Sequence, residues 1–211
     1  MVDKTVIWDE LKALDVAGQF KLIYDRRLWS GSGKRETICG AGSTMHATAE
    51  IKEDIEKFLK DYDVSSIVDC GCGDFFWMQF VNMNRAEYTG VDIVDDIIED
   101  NKIKYPEHTF LAGNIIETIP PGEVVIIRDV LQHLSLADNQ RIIENAFSSA
   151  TRFVIASSYV RDKYNCETLC TKYRKRNLML EPFNLPEPLL YLRDGAERRK
   201  LGVWNAKNRL L

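Results

Sequence analysis

The sequence contains no apolar stretch approaching the roughly 20 residues that a membrane span requires. Its opening, MVDKTVIWDELK, carries charges where a signal peptide would hold its apolar segment. A soluble, cytoplasmic setting is therefore expected. A surplus of basic charge is also missing: 28 Lys and Arg stand against 32 Asp and Glu, a formal charge of −4, so nothing draws the whole chain to a phosphate backbone or an anionic bilayer. Nucleic acid is not the expected partner. Cysteine is present but odd in number, at Cys39, Cys70, Cys72, Cys166 and Cys170, which excludes a fully paired disulfide framework and points to free thiols. The spacing Cys70-x-Cys72 with Cys166-xxx-Cys170 departs from the usual zinc knuckle, and no metal site is expected from it. Repeats and low-complexity tracts are absent as well. With 211 residues, 45% of them hydrophobic, the chain suffices for one domain with a sizeable core.

What is present is an alternation of two periodicities. Trp8 to Leu28 reads as a helix, followed by the loop WSGSGKRETICGAGST and a second helix over Thr48 to Tyr62, where Ile51, Ile55, Phe58 and Leu59 recur at helical spacing. Five short runs follow, SIVDC, YTGVDIV, HTFLAGN, EVVIIRDV and RFVIASSYV. They are β-branched, aromatic and almost continuously apolar, as suits strands buried on both faces of a parallel sheet. Between them, Phe75 to Met83, Val94 to Lys104 and Leu136 to Ala150 read as helices. This is the pattern of a doubly wound α/β sheet. The stretch from Arg161 to Pro188 breaks the rhythm, and two last strands, Leu189 to Arg193 and Lys200 to Trp204, read as a closing hairpin.

In such a sheet ligands collect beyond the carboxyl ends of the strands. After the first strand comes Asp69-Cys70-Gly71-Cys72-Gly73-Asp74, two glycines that let a ligand lie against bare backbone. The third glycine of a dinucleotide fingerprint is missing, because Phe76 stands there, and the acid Asp74 follows the turn. A cationic or zwitterionic ligand fits this better than a pyrophosphate. Asp92, about twenty residues on, is placed to accept ribose hydroxyls, and Asn114 beside Ile115 suits an adenine edge and face. The fourth strand ends in Arg128-Asp129-Val130-Leu131-Gln132-His133.

The runs IVDCGCGD, GVDIV, AGN and IIRDVLQHLS resemble the class I S-adenosylmethionine-dependent methyltransferases, over about Ser65 to Tyr159. The flanks WSGSGKRETICGAGST, CGDFFWM and NLMLEPFNLPEPL are similar to a subgroup associated with sugar O-methylation. The resemblance implies a Rossmann-like, mostly parallel seven-stranded sheet with an N-terminal helical lid and an insertion before the last strands. The single domain would comprise helices and lid loop over 1–62, a cofactor core over 63–160 and an acceptor-side segment with the closing hairpin over 161–211. It implies S-adenosylmethionine as cofactor, with S-adenosylhomocysteine as product. Asp69, Gly71 and Gly73 would border the methionine end, Asp92 the ribose, and Asn114 with Ile115 the adenine, while Ser43 helps cover the site. Asp74, Trp77, Ile93, Arg128 and Asp129 complete the expected cofactor contacts. A sulfonium brings no phosphate, so the missing glycine is no obstacle, and flanking acids favour its positive charges.

The implied acceptor is a hydroxyl of a sugar or glycan, nucleotide-linked or lipid-linked, with a glycosyltransferase as a partner. A hydroxyl must lose its proton as it attacks, and Asp129 and His133 are the candidate bases, Asp129 ahead of His133. Tyr159, Asn165, Asn177 and Phe183 are expected to contact the acceptor, together with Tyr164 and Trp29, and the basic run RDKYNCETLCTKYRKR to meet a phosphate on it. No spacing demands a divalent ion, although Asp129 with Asp162 could contribute to one. A non-sugar small molecule or an RNA are the alternative acceptors, and a non-catalytic cofactor-binding scaffold is the alternative outside enzymes.

Overall fold

The computed structural model describes residues 4–30, 36–168, 172–195 and 199–208. The N-terminal helix expected as one piece is two, α1 (Lys4–Lys12) and α2 (Val16–Asp25). Asp15 divides them: its carboxylate accepts from the Gly18 amide at 2.8 Å, and an aspartate that caps a new helix cannot continue the old one. Helix α3 (Met45–Asp61) begins at Thr44, whose hydroxyl accepts from the Ala47 amide, and buries the expected stripe of Ile51, Ile55, Phe58 and Leu59.

The strands are β1 (Ser66–Cys70), β2 (Glu87–Asp92), β3 (Thr109–Ala112), β4 (Gly122–Ile127), β5 (Ala150–Ser158), β6 (Leu190–Arg193) and β7 (Lys200–Asn205). They form one sheet in the order β3-β2-β1-β4-β5-β7-β6. Pairing is parallel from β3 to β5, while β7 runs antiparallel to both β5 and β6. The last two strands are thus joined as the expected hairpin, but the second of them is inserted beside β5, leaving β6 at the edge. Helices α4 (Asp95–Lys104) and α5 (Leu136–Ser149) complete the crossovers. The seven-stranded, mostly parallel Rossmann-like fold expected from the sequence is the one observed.

Alternate strand residues point to opposite faces and build two cores. Ile67, Val124, Ile126 and Ile155 meet α3, whereas Val68, Val125, Ile127 and Val154 meet the Ile142, Ile143, Ala146 and Phe147 face of α5. Burial of this apolar area, at roughly 25 cal/mol per Å², is what holds the sheet in place.

One expected helix is absent. Phe75 to Met83 holds only a short 3₁₀ turn, Met78–Phe80. Phe75 sits at φ +55°, and its ring packs against Tyr88, Tyr105 and Phe110 at centroid distances of 4.7, 5.0 and 5.3 Å. Filling that aromatic pocket turns the chain off a helical path, so no helix packs closely enough here to need the third glycine. Strand β1 ends at Cys70 as expected, but β2, β3 and β5 stop two residues and β4 three residues before the ends of their runs, where Asp92, Gly113 and Asp129 lead into turns. Among the described residues no helix is long and apolar enough to cross a membrane.

Candidate active site

The sheet reverses its winding between β1 and β4, and the crevice there is the natural ligand position of an open α/β sheet. At the end of β1, Gly71 and Cys72 donate their amides to the Val91 carbonyl at 2.7 and 3.1 Å. Gly71 adopts φ +79°, and a Cβ on it would lie 2.4 Å from a Val130 methyl, so only glycine lets the turn and the exit of β4 approach each other. Gly73 donates to Asp92 Oδ2 at 2.9 Å, and Val94 donates to Asp92 Oδ1 at 3.1 Å. Both carboxylate oxygens are thus aimed by backbone. Burial pushes the Asp92 carboxyl up, and the backbone donors partly offset this.

Two adjoining cavities occupy the crevice. The larger, about 390 Å³, lies beyond β1 and β4; the smaller, about 70 Å³, lies beyond β2 and β3. Tyr24, Trp29, Gly71, Asp129 and His133 border both, so they are two compartments of one slot. Ser43, Asp69, Asp74, Trp77 and Arg128 line the larger compartment; Asp92, Ile93, Asn114 and Ile115 line the smaller. Gly73 lines neither, being covered by Cys39, and acts through Asp92. The Asn114 amide is occupied with its own turn, accepting from Ile116 at 3.0 Å and donating to Glu117 at 3.0 Å.

Asp69 is buried and accepts from the Tyr88 hydroxyl at 2.8 Å, and burial raises its pKa to about 6. The Tyr88 hydroxyl and the Arg128 charge offset this burial only in part, and a buried carboxylate facing a cavity is a seat for a cation. Asp74 fastens the lid. Its carboxylate accepts from the Thr37 hydroxyl at 2.8 Å and the Ile38 amide at 3.0 Å, drawing the loop that carries Cys39 to Ser43 over the crevice. Gly42 completes the closure: its carbonyl accepts from Arg128 at 2.8 Å, and a Cβ there would lie 2.5 Å from Asp129.

Arg128 also donates to Asp194 at 2.8 Å and stacks 5.1 Å from the Trp77 ring centroid. Asp129 sits at φ +57° at the end of β4, bound by Arg199 through both oxygens and by Gln132 at 2.6 Å. Burial works to raise the Asp129 pKa, but the guanidinium groups of Arg128 and Arg199 outweigh it and hold the carboxyl below its usual range. His133 ends a short 3₁₀ turn, its ring 4.7 Å from that of Trp29 and 5.8 Å from that of Tyr173.

Of the six residues expected to contact an acceptor, Trp29 lines the slot, whereas Tyr159, Tyr164, Asn165, Asn177 and Phe183 do not. Asn177 and Asn165 brace the insertion: Asn177 donates to the Asp162 carbonyl at 2.9 Å, and Asn165 donates to the Asn177 and Glu181 carbonyls at 2.9 and 2.7 Å. Phe183 packs on the α5 side of the sheet, and Tyr159 is buried against Tyr173, with which it shares a hydroxyl contact. Tyr173 itself borders the larger compartment, as do Arg199 and Gln132, which sequence reasoning missed. The contribution of α2 was readable: Val16, Phe20 and Tyr24 recur every fourth residue and face the slot together.

No protein-family model matches the chain. A eugenol O-methyltransferase of Sorghum bicolor is 24% identical over 200 residues, 90% of this chain. Caffeate O-methyltransferase-like protein 2 of Oryza sativa subsp. japonica is 20% identical over 151 residues, 68% of this chain. The chain spans about half the length of these curated relatives, 51% and 43% respectively. Among solved structures, the pyocyanin biosynthetic protein PhzM superposes with a TM-score of 0.60 at 15% identity, covering 79% of this chain and 56% of that one. Magnesium protoporphyrin IX methyltransferase from Synechocystis PCC 6803, crystallised with bound SAH, gives 0.53 at 19% identity, covering 70% and 74%. With the strand order and the switch-point slot, these likenesses define the fold as that of the class I methyltransferases.

Proposed function

We propose that the chain is an S-adenosylmethionine-dependent O-methyltransferase acting on a small hydroxyl-bearing molecule. The observation that carries this reading is the two-compartment slot, with Asp92 aimed by two backbone amides at one end and Asp69 buried at the other. The residues suit the cofactor: apolar Ile93 and Ile115 for an adenine, the Asp92 carboxylate for ribose hydroxyls, and Asp69 for an ammonium. S-adenosylmethionine, when bound, supplies a methyl group already attached to a good leaving group. The protein's share is alignment and exclusion of water, for which effective-molarity gains of ~7 to 11 kcal/mol are available.

His133 is the better general base of the two candidates. It borders both compartments, and a neutral imidazole can take the proton of an attacking hydroxyl. Asp129 is held ionised by two arginines and is a weak proton acceptor; it anchors Arg199 and Gln132 instead. The names of the curated relatives, O-methyltransferases of eugenol and caffeate, favour a non-sugar acceptor over the expected sugar, and nothing in the comparisons supports a glycosyltransferase partner. The aromatic rings of Trp29, His133 and Tyr173 offer a planar acceptor a stacking surface. An acceptor screen with radiolabelled methyl donor, spanning phenols, hydroxy acids, sugars, amines and RNA, tests the assignment. Label transfer to a hydroxyl supports it, and label transfer only to amines or to RNA contradicts it.

A further inference from the structure

The insertion between β5 and β6 carries an excess of positive charge in a chain that is acidic overall. Over residues 161–176 it holds six Lys and Arg against two Asp and Glu. Among the described residues most cations elsewhere have carboxylate partners, and Arg193 by itself faces Glu50, Glu53 and Asp54. Lys163, Arg174 and Lys175 have none within 4 Å among the described residues. These three nevertheless line a common cavity of about 330 Å³, with Tyr164, Tyr173 and a single carboxylate, Asp162. Tyr173 is also a wall of the larger compartment of the slot.

The described residues of the segment have no regular secondary structure, but backbone contacts tie its Arg174 to Arg176 stretch to the rest of the fold. The Arg174 amide donates to the Gln132 carbonyl at 2.8 Å, in the turn that carries His133. Tyr159 donates to the Arg176 carbonyl at 2.8 Å, and the buried Arg176 side chain donates to the carbonyls of Leu134 and Cys166, each at 2.7 Å. Lys175 lies 5.8 Å from the Tyr159 ring centroid. Arg174 also donates to the Tyr173 carbonyl at 2.9 Å, and cations left without carboxylate partners beside a binding slot raise the local concentration of anions there.

We propose that this cavity binds a phosphate-class dianion carried by the acceptor, so that the acceptor spans Tyr173 with its hydroxyl in the slot and its anionic group against Lys163, Arg174 and Lys175. The inference rests on the proposed function, with the acceptor at the Trp29, His133 and Tyr173 side of the larger compartment and the cofactor's amino acid end at its Asp69 side. Its chemistry is that of point charges meeting phosphate oxygens.

The test is calorimetric titration at constant ionic strength with two probes, inorganic phosphate and phenyl phosphate. Wild type is compared with the Lys163→Gln/Arg174→Gln/Lys175→Gln variant, and S-adenosylhomocysteine is titrated separately. Saturable binding of both probes is expected, weakened at least about tenfold in the variant, with S-adenosylhomocysteine affinity unchanged. Tighter binding of phenyl phosphate than of inorganic phosphate indicates an organic phosphate as the natural ligand; the reverse order indicates the free ion and overturns the acceptor-borne part. Equal phosphate affinity in variant and wild type, or no saturable binding, overturns the site itself. Failure of S-adenosylhomocysteine to bind either protein overturns the methyltransferase reading instead.

Discussion

Arg199, at the start of β7, grips both carboxylate oxygens of Asp129 at the end of β4, and its guanidinium reaches on to Asp194. This contact joins the antiparallel end of the sheet to the slot. Asp129→Asn leaves the buried Arg199 with one carboxylate fewer, a loss of about 2 kcal/mol for a charged hydrogen bond. For a domain of this size that lowers the melting temperature by roughly 4 to 8 °C. Thermal unfolding measures it, and an unchanged midpoint would show that the ion pair contributes nothing in solution.

His133 gives a different signature. His133→Gln should lower kcat by roughly 10²- to 10⁴-fold, the usual contribution of a positioned base, while S-adenosylhomocysteine affinity stays within about twofold of wild type. Comparable losses in turnover and cofactor affinity would make His133 a packing residue between Trp29 and Tyr173.

The Asp69 carboxyl, raised by burial to about 6, sets a pH dependence. Above that pH it is ionised and attracts a ligand ammonium; below it the group is protonated and the attraction is lost. Cofactor affinity should therefore fall as pH drops through about 6, with proton release on binding near that pH, and Asp69→Asn should flatten the profile. Titrations in buffers of different ionisation enthalpy read both effects. A profile flat from pH 5 to 8 in wild type would remove Asp69 from the cofactor's positive end.

Much of the architecture was legible because each buried strand announces itself as an apolar run and each turn as an acid or glycine after it. The site was legible in part for the same reason: Asp69, Gly71 and Asp92 end strands whose positions the periodicity gives. What escaped was set by contacts distant in sequence. Nothing near Phe75 signals that its ring fills a space between Tyr88, Tyr105 and Phe110, which is why the helix expected there is missing. Arg199 enters the slot only because β7 is inserted beside β5. Asn165 and Asn177, polar residues in an irregular segment, read as ligand contacts from sequence, yet their amides are spent on the backbone carbonyls that hold the insertion together.

Asp74 is expected to act through the lid. Asp74→Ala removes the acceptor for Thr37 and Ile38 and should free residues 36–44. Limited proteolysis should cut that loop faster, and S-adenosylhomocysteine should protect the wild-type loop more than the variant's. Identical cleavage rates would mean that the remaining contacts, such as Arg128 to the Gly42 carbonyl and Met45 to Glu36, hold the loop without the Asp74 carboxylate.

The most direct measurement is a crystal structure of the chain with S-adenosylhomocysteine. The ribose hydroxyls should lie within hydrogen-bond distance of Asp92, the adenine between Ile93 and Ile115, and the amino acid end beside Asp69. A nucleoside bound outside the β1/β4 crevice, or a slot filled by the side chains of Val16, Phe20 and Tyr24 with no ligand in it, would contradict the account.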